Sequence, residues 1–155
     1  MTTYEVKPIG SIKREGETIN VIVDKAYRKA LKKLDKFSHV MVFWWATEFD
    51  NEEGRSLLET IPPYAPDHTH GIFSTRSPLR PNPIMMTTCK IEGIDEENGI
   101  VTINNIDAFD GTPLVDLKAY YGICDGVVGS VIPEWLSDWP EEYPEEGIGL
   151  MPHEL

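Results

Sequence analysis

The chain has 155 residues, with 26 acidic and 14 basic side chains and a formal net charge of −12. A chain of this length forms one domain that buries about two thirds of its unfolded surface, so it folds without a disulfide framework or a structural metal. Two cysteines, the absence of an apolar run of ~18 residues and an N-terminus without an apolar signal core argue against a disulfide-rich or membrane-spanning protein and predict a cytoplasmic one. The negative charge argues at first against a nucleic-acid partner, because phosphate binding depends on Lys and Arg.

The charge is unevenly distributed along the chain. Residues 1–40 contain nine basic and five acidic side chains, whereas residues 134–155 contain seven acidic side chains and no Lys or Arg. We therefore predict two regions, a main domain at residues 1–132 and an acidic, aromatic C-terminal extension at residues 133–155. The acidity belongs largely to the extension, so the main domain keeps the option of an anionic partner.

The first predicted elements are two strands and a basic helix. Residues 3–9 and 18–24 are rich in Val, Ile and Thr, which favours strands. Apolar side chains at helical spacing predict an amphipathic helix over residues 25–36, with Asp24 as its N-cap. The outer face of this helix carries the candidate RNA-binding side chains Lys25, Arg28, Lys29, Lys32 and Lys33. The alternative is an ordinary solvated face with no partner.

Short β-type segments dominate the rest of the chain. In chain order we expect a strand buried on both faces at 38–47, a short helix within 51–60, a proline-rich loop at 61–70, strands at 84–94 and 100–106 joined by an Asn-Gly hairpin turn at 95–99, and a strand at 114–121 after a turn at 110–113. The predicted fold is therefore mainly β, a small β-barrel with one or two short helices and an irregular C-terminal extension.

The densest group of polar residues lies in residues 71–84, which we call the motif loop. Three prolines in six positions, at 78, 81 and 83, restrict its backbone to extended conformations. The side chains between and before them form a candidate ligand-binding array: Phe73, Ser74, Thr75, Arg76, Ser77, Arg80 and Asn82. A rigid array of donors can bind a carboxylate, phosphate or nucleoside at low entropic cost. The alternative is a solvent-exposed loop that is rigid only for stability.

A second group of polar residues surrounds the turn at Asp110 and Gly111. The strand that follows places Asp116, Lys118 and Tyr120 on one face, because alternate residues of a strand share a face. These side chains are either one wall of a site or a solvent-exposed set in which the charges pair with each other.

The histidines and glycines give weaker indications of a functional site than the two polar groups. His39 begins the expected buried strand, where a structural role competes with ligand binding. His68 and His70 are too isolated from cysteines and carboxylates to indicate a metal site, so we expect no metal. Cys89 is expected to pack as a small apolar residue. The glycines after residue 121 have no room for a βαβ unit, so they are not a dinucleotide-binding fingerprint.

Four blocks of the sequence resemble a known family in the same order. They are HGIFSTRSPLRPNPI at residues 70–84, preceded by Pro8–Ile12 and Lys36–Val40, and Asp110–Lys118. Together they are similar to the TsaA-like (TrmO-type) family of S-adenosylmethionine-dependent tRNA (adenine-N6)-methyltransferases, over roughly residues 4–121. The resemblance implies a small β-barrel that forms a homodimer and binds S-adenosylmethionine outside a Rossmann fold. It also implies methyl transfer to N6 of threonylcarbamoyladenosine beside the anticodon of tRNA.

The resemblance also implies roles for particular residues. The cofactor pocket would include Phe73, Ser74, Thr75, Arg76, Ser77, Arg80, Asn82, His39, Asp110 and Gly111. The catalytic wall would include Asp110, Asp116, Lys118 and Tyr120. As hypotheses, Asp110 or Asp116 orients or deprotonates the acceptor amine, and Arg76 or Arg80 anchors a carboxylate of cofactor or substrate.

The chain departs from the family pattern in three places. The family usually continues the motif loop with Gly-Leu-Ser, where this chain has Met85–Thr87, and many relatives have a histidine where this chain has Ala46–Glu48. The separate C-terminal domain of longer relatives is replaced by the acidic extension. Two other functions therefore stay open: methyl transfer to a small metabolite or a protein, and S-adenosylmethionine binding without catalysis.

Overall fold

The computed structural model describes residues 1–150 and Glu154, and six of its strands form a closed antiparallel barrel in the order β1-β2-β7-β6-β3-β8. The strands are β1 (Gly10–Glu15), β2 (Thr18–Val23), β3 (His39–Trp45), β4 (Glu59–Thr60), β5 (His70–Gly71), β6 (Ile84–Asp95), β7 (Ile100–Ile103) and β8 (Pro113–Ala119). Strands β4 and β5 pair with each other outside the barrel. The predicted mainly β, barrel-type fold is confirmed.

The helices are short. They are α1 (Glu52–Ser56) and α2 (Gly122–Asp125), with 3-10 turns at Lys25–Leu31, Leu34–Lys36, Thr47–Phe49, Ile72–Ser74 and Glu134–Leu136. Of the helices in the described part of the chain, none has both the length and the apolar composition needed to cross a bilayer.

Buried and less buried residues alternate along the strands, and the buried ones form the core. In β3, Val40, Val42 and Trp44 are buried, whereas the residues between them are half-buried. The prediction that this strand is buried on both faces was wrong, because each strand of a single-layer barrel turns only one face to the interior. Cys89 of β6 is fully buried, as expected for a packing residue, and burial raises the pKa of its thiol to about 12.

The strand predicted at residues 3–9 is also wrong. Residues 1–9 form no helix or strand, and β1 begins at Gly10. A side chain at Gly10 would clash with the carbonyl oxygen of Ile22 across the β1–β2 ladder. Only Ile9 of this segment joins the ladders, with its amide donating to Leu114 O at 2.8 Å and its carbonyl accepting Asp24 N at 2.9 Å. The strand composition of residues 3–8 alone does not produce a strand.

The basic helix predicted at residues 25–36 consists instead of two 3-10 turns. They are separated at Lys33, whose φ of 73° ends the first helical path. Asp24 makes no side-chain capping hydrogen bond. Leu31 ends the first turn, Leu34 begins the second, and both side chains are buried. We call residues 25–37 the basic segment.

The remaining predicted elements are present with shifted ends. Helix α1 is shorter than residues 51–60, with the side chain of Asn51 accepting a hydrogen bond from Gly54 N at 2.8 Å. The hairpin of β6 and β7 is confirmed, but β7 ends at Ile103 because the side-chain oxygen of Asn104 accepts the Lys90 amide, at 2.9 Å. Strand β8 ends before Tyr120.

The C-terminal extension lies against the barrel and the segment before the motif loop. The Trp135 ring stacks on His68 with a centroid distance of 3.9 Å, and Trp139 contacts Tyr64 edge-on at 5.0 Å. Farther along, the Asn104 amide donates to the Tyr143 hydroxyl at 3.2 Å. Residues 151–153 and 155 of the predicted extension lie outside the described residues. The division of the chain at residue 132 stays a prediction.

Candidate functional site

A cleft of about 360 Å³ opens at one end of the barrel. Its walls are the end of β3 with the 3-10 turn after it, the connection between β7 and β8, and Leu150 of the extension. Three carboxylates line it, those of Glu48, Asp107 and Asp110. Its aromatic lining comes from Trp44, Phe49 and Phe109. We call this the acidic cleft; its volume is in the range of small-molecule sites.

The turn at Asp110 and Gly111 forms one rim of the acidic cleft. Gly111 has a φ of 78°, a conformation that favours glycine, and its amide donates to Ile12 O at 2.8 Å. The predicted tight turn is therefore present, and it places Asp110 and Gly111 of the predicted cofactor set in the cleft lining.

Arg14 of β1 forms hydrogen bonds to the residues of this rim. Its guanidinium donates to Ala108 O at 2.8 Å and to Ile106 O at 2.6 Å, while its backbone amide donates to Asp110 Oδ1 at 2.8 Å. Burial lowers the pKa of Arg14, and Asp107 and Asp110 oppose that shift. No local sequence pattern predicts this role for Arg14, because its partners lie more than 90 residues away in the chain.

Asp107 is a second cleft residue that no local sequence pattern predicts. Its side chain makes no hydrogen bond or ion pair within the described residues, although it faces the acidic cleft. Burial among the cleft residues raises the pKa of this carboxyl group, the negative charge of Glu154 adds to the rise, and Arg14 opposes it. The pKa of one cleft aspartate is thus raised above its ordinary value, although its side chain remains accessible to solvent.

Most polar side chains of the motif loop form hydrogen bonds with the backbone of the same loop. The hydroxyls of Ser74 and Thr75 donate to Gly71 O and Ile72 O, both at 2.8 Å. The Ser77 hydroxyl accepts Leu79 N at 3.2 Å.

Its two arginines differ. Arg80 donates to the carbonyls of Thr75 and Ser77 at 3.3 and 3.0 Å. Arg76 is exposed and makes no hydrogen bond or ion pair with the described residues. The side chains of Phe73, which is 81% exposed, and Asn82 also point to solvent. Of the predicted array, these three side chains are exposed and make no hydrogen bond within the described residues.

A cluster around Arg55 attaches the motif loop to the wall of the acidic cleft. Arg55 donates to Asp50 Oδ1 at 2.5 Å and to Pro81 O at 3.0 Å, and its guanidinium lies 5.7 Å from the Trp45 ring centroid. The Trp45 indole donates to Asp50 Oδ2 at 2.9 Å. The hydrogen bond from Arg55, followed by that from Trp45, lowers the pKa of Asp50. Ala46 N also donates to Pro83 O at 2.9 Å, so the loop lies directly behind residues 46–49.

The predicted catalytic wall does not lie in the acidic cleft as a unit. Asp116 Oδ2 pairs with Lys118 Nζ at 2.9 Å, and its Oδ1 accepts Leu117 N at 2.8 Å. Tyr120 lies beyond β8 and contacts His39 edge-on at 6.4 Å. The structure brings neither Asp116 nor Lys118 to the Asp110 rim, and the two charges pair as the alternative interpretation predicted.

His39 has the contacts of a packing residue. Its Nδ1 lies 2.7 Å from Ser38 Oγ, and its ring contacts Tyr143 of the extension edge-on at 5.4 Å. It is not among the residues that line the acidic cleft.

A second cleft, of about 340 Å³, lies between the basic segment and β8. Lysines 32 and 33, the aromatic residues Tyr27, Phe37 and Tyr121, and Asp116 contribute to its lining. We call it the basic cleft.

The candidate RNA-binding residues divide into two kinds. Arg28 donates to Val23 O and Glu97 O at 3.3 and 3.1 Å, so its guanidinium braces the β6–β7 turn. Lys25, Lys29, Lys32 and Lys33 are exposed, and their side chains make no hydrogen bond or salt bridge to the described residues.

The histidines that precede the motif loop are engaged with the extension. His70 accepts a hydrogen bond from the Trp135 indole at 3.2 Å, and His68 stacks on the same ring. Within residues 1–150 and Glu154, no group of three or more His, Cys, Asp or Glu residues is placed to hold a metal ion.

The chain matches known proteins over most of its length. A family model described as the tRNA-methyltransferase O N-terminal domain matches residues 2–126. A probable S-adenosyl-L-methionine-binding protein of Archaeoglobus fulgidus is 32% identical over 116 residues, covering 75% of this chain and 30% of the relative. A mouse tRNA (adenine(37)-N6)-methyltransferase is 36% identical over 91 residues, covering 59% of this chain and 20% of the relative.

The solved structures agree with this match. The crystal structure of TrmO from Pseudomonas aeruginosa superposes with a TM-score of 0.62 at 26% identity, covering 84% of this chain and 62% of that chain. The chain spans less than half of the first two curated relatives, 30% of the Archaeoglobus protein and 47% of a second one from Pyrococcus abyssi.

Proposed function

The chain belongs to the family of the tRNA-methyltransferase O N-terminal domain, and from that premise we propose that it transfers the methyl group of S-adenosylmethionine to N6 of threonylcarbamoyladenosine beside the anticodon of tRNA. One observation carries the proposal: the Asp110–Pro113 turn, part of a family-like block, forms the rim of an acidic cleft of about 360 Å³. The names of the relatives support both the cofactor and the acceptor class.

The residues of the acidic cleft fit the chemistry of this cofactor. S-adenosylmethionine supplies an activated methyl group on a positively charged sulfonium. Glu48, Asp107 and Asp110 offer negative charge to the sulfonium and amino groups and acceptors to the ribose hydroxyls. The rings of Phe49 and Phe109 offer faces on which an adenine can stack. Arg76, the free guanidinium of the motif loop, is our candidate for a carboxylate of cofactor or substrate.

The cleft residues also include a candidate base for the acceptor amine. N6 of the acceptor forms a bond to the methyl carbon as the carbon–sulfur bond breaks, and a proton then has to leave N6. We assign the proton to Asp107, because its raised pKa makes it a stronger base than an ordinary aspartate. Asp110 is held at Oδ1 by the Arg14 amide, which leaves Oδ2 to orient the amine or the cofactor. Close positioning of nucleophile and methyl group supplies most of the rate.

A tRNA substrate agrees with the basic segment. Five exposed lysines of that segment, four of them without a salt bridge to the described residues, lie on a protein whose net charge is −12, so they are a local exception to its negative charge. Such a patch attracts a polyanion and steers its approach. A tRNA substrate also implies that the protein acts in the cytoplasm.

We further propose a homodimer that forms through residues 122–132. This arm is largely apolar yet exposed: Ile123, Val128 and Val131 are each more than 90% exposed. Contiguous exposed apolar residues mark an interface in a soluble protein, and a second copy of the chain is the partner that the family resemblance implies. Light scattering after size-exclusion chromatography should give twice the chain mass for the wild type and the single-chain mass for Val128→Asp with Val131→Asp.

The function is tested by methyl transfer to tRNA and by nucleoside analysis. Purified protein should transfer labelled methyl from S-adenosylmethionine to tRNA, and mass spectrometry should find methylated threonylcarbamoyladenosine only in cells that have the gene. Binding of S-adenosylmethionine without transfer would instead favour a non-catalytic binding protein, the function that the Archaeoglobus relative's name allows. Transfer to a small metabolite or to a protein, with tRNA unmodified, would identify the remaining alternative.

A further inference from the structure

The basic cleft lies where the pairing between β1 and β8 ends. Strand β1 pairs with β8 only through Gly10 with Leu114 and Ser11 with Pro113. Beyond that point, the edge of β8 at residues 115–119 has no strand partner on the β1 side among the described residues. The side chain of Asp116 accepts the amide of Leu117, a donor that a neighbouring strand would otherwise satisfy.

The basic segment covers this edge without filling the space beside it. Leu31 and Leu34 are buried against the core, while Tyr27 stays 40% exposed over the cleft. On the opposite side Tyr121 is 50% exposed, with Phe37 contacting its ring edge-on at 5.1 Å. The result is a space of about 340 Å³ between aromatic side chains.

Lysine side chains of the basic segment border this aromatic space. Lys32 and Lys33 line it, and Lys25 and Lys29 lie on the same segment with no salt bridge to the described residues. The acidic member of the lining, Asp116, is paired with Lys118. Aromatic faces bordered by unpaired cations are the combination that binds single-stranded nucleic acid, because bases stack on the rings and phosphates contact the lysines.

We propose that the basic cleft is a nucleobase subsite for the substrate RNA, in which an unpaired loop base stacks on Tyr27 or Tyr121 while Lys32 and Lys33 contact the adjoining phosphates. The identity of the RNA rests on the proposed function, but the subsite rests on the cleft itself. An RNA loop fits better than a duplex, since only unpaired bases present free faces for stacking. An apolar protein partner is disfavoured by the lysines at the cleft.

Strand β8 connects the two clefts. Pro113 lines the acidic cleft, and Asp116, Leu117 and Ala119 line the basic one. At a rise of about 3.3 Å per residue, three to six residues correspond to ~10–20 Å along the strand. A loop of a few nucleotides can therefore place one base in the basic cleft while a nearby adenine reaches the acidic cleft.

The test compares two RNAs and two kinds of tyrosine variant. The probes are a fluorescent tRNA anticodon stem–loop hairpin and a duplex of the same stem without the loop. Tyr27→Ala and Tyr121→Ala should weaken hairpin binding by between about fivefold and a hundredfold, the range expected for one stacked base, and should leave duplex binding unchanged. Tyr27→Phe and Tyr121→Phe keep the ring and should bind the hairpin like the wild type. Both tyrosines are partly exposed, and a thermal melt should report the wild-type fold.

Each of the following results would overturn the subsite. Wild-type hairpin affinity in both alanine variants, or equal losses for hairpin and duplex, would show that no base stacks there. Loss of self-association in Tyr121→Ala without any effect on RNA would assign the cleft to a second copy of the chain. If the wild type methylates tRNA and the alanine variants do so with the same KM, the subsite fails while the proposed function stands. If the wild type neither binds the hairpin nor methylates tRNA, both fail.

Discussion

The acidic and basic clefts are nearly equal in volume, about 360 and 340 Å³, but they differ in charge and in how they are built. The acidic cleft is a rim of turns at the end of the barrel, fixed by Arg14 from behind and supported by the motif loop. The basic cleft is a gap in strand pairing, covered by two short 3-10 turns.

This difference suggests a division of labour. A cationic cofactor needs a rigid site with negative charge, because methyl transfer depends on close alignment of the reacting atoms. A polyanionic substrate needs exposed positive charge and aromatic faces, which tolerate some movement. We infer that the acidic cleft performs the chemistry and that the basic cleft holds the substrate in place. Substitutions in one cleft should therefore affect one ligand and spare the other.

The largest expected effect is on turnover. Asp107→Asn removes the proposed proton acceptor while keeping its shape, and kcat should fall at least ~100-fold, a typical loss for general base catalysis. The KM for tRNA should change little, since the basic cleft is intact. Asp138→Asn, the same change at an exposed aspartate of the extension, is the matched control and should leave kcat unchanged. A wild-type kcat in Asp107→Asn would remove this residue from the mechanism.

The pH dependence of turnover gives Asp107 a second test. Its pKa is raised, so the carboxyl group is protonated at a higher pH than an ordinary aspartate. Because only the ionised form accepts a proton, kcat of the wild type should fall as the pH decreases through this raised value. The residual kcat of Asp107→Asn should lack that acidic limb. The same limb in both proteins would assign it to another group.

The next largest effect is on RNA affinity. Lys32→Glu with Lys33→Glu should weaken tRNA binding at least ~10-fold and reduce the slope of log affinity against log salt by about 2, one for each lysine that no longer neutralises a phosphate. The affinity for S-adenosylmethionine should stay the same. Lys7→Glu with Lys13→Glu makes an equal change of charge outside both clefts and should have a much smaller effect. Equal losses in the two double variants would mean that only the total charge matters.

The smallest effect is on the support of the acidic cleft. Arg55→Ala removes the interactions with Asp50, Pro81 and Trp45 and should lower the free energy of unfolding by about 1 kcal/mol, because solvent partly screens this ion pair. S-adenosylmethionine binding should weaken while hairpin binding does not.

The direction in which pH changes the stabilisation by Arg55 follows from the pKa of Asp50. Its pKa is lowered in the folded protein, so its contribution to stability is present above the usual carboxyl pKa and is lost as the pH falls through the lowered value. Denaturation by urea should therefore separate wild type from Arg55→Ala at neutral pH and bring them together in acid. A constant difference at both pH values would contradict the pairing.

Local signals predicted the barrel and several of its parts. The turn at residues 95–99, the strand at 18–23 and the turn at Asp110 all follow from residue type and alternation over short windows. The errors share one cause, which is dependence on distant partners. Residues 3–8 have strand composition but join no strand ladder, and the helical path of residues 25–36 is broken at Lys33.

The candidate site was harder to predict than the fold for the same reason. The motif loop was found, but its hydroxyls and Arg80 serve its own backbone, which composition does not reveal. Arg14 and Asp107 belong to the acidic cleft through interactions made across the barrel. Asp110 and Asp116, only six residues apart, were assigned to one wall, yet the turn and β8 direct them to different clefts.

The most direct test of the division between the clefts is amide chemical-shift mapping by NMR on the wild-type protein. S-adenosylmethionine should shift the amides of residues 46–49 and 109–112, and the anticodon hairpin should shift those of the basic segment and residues 116–121. Cofactor-induced shifts confined to the basic cleft, or both ligands acting on one cleft, would contradict the account.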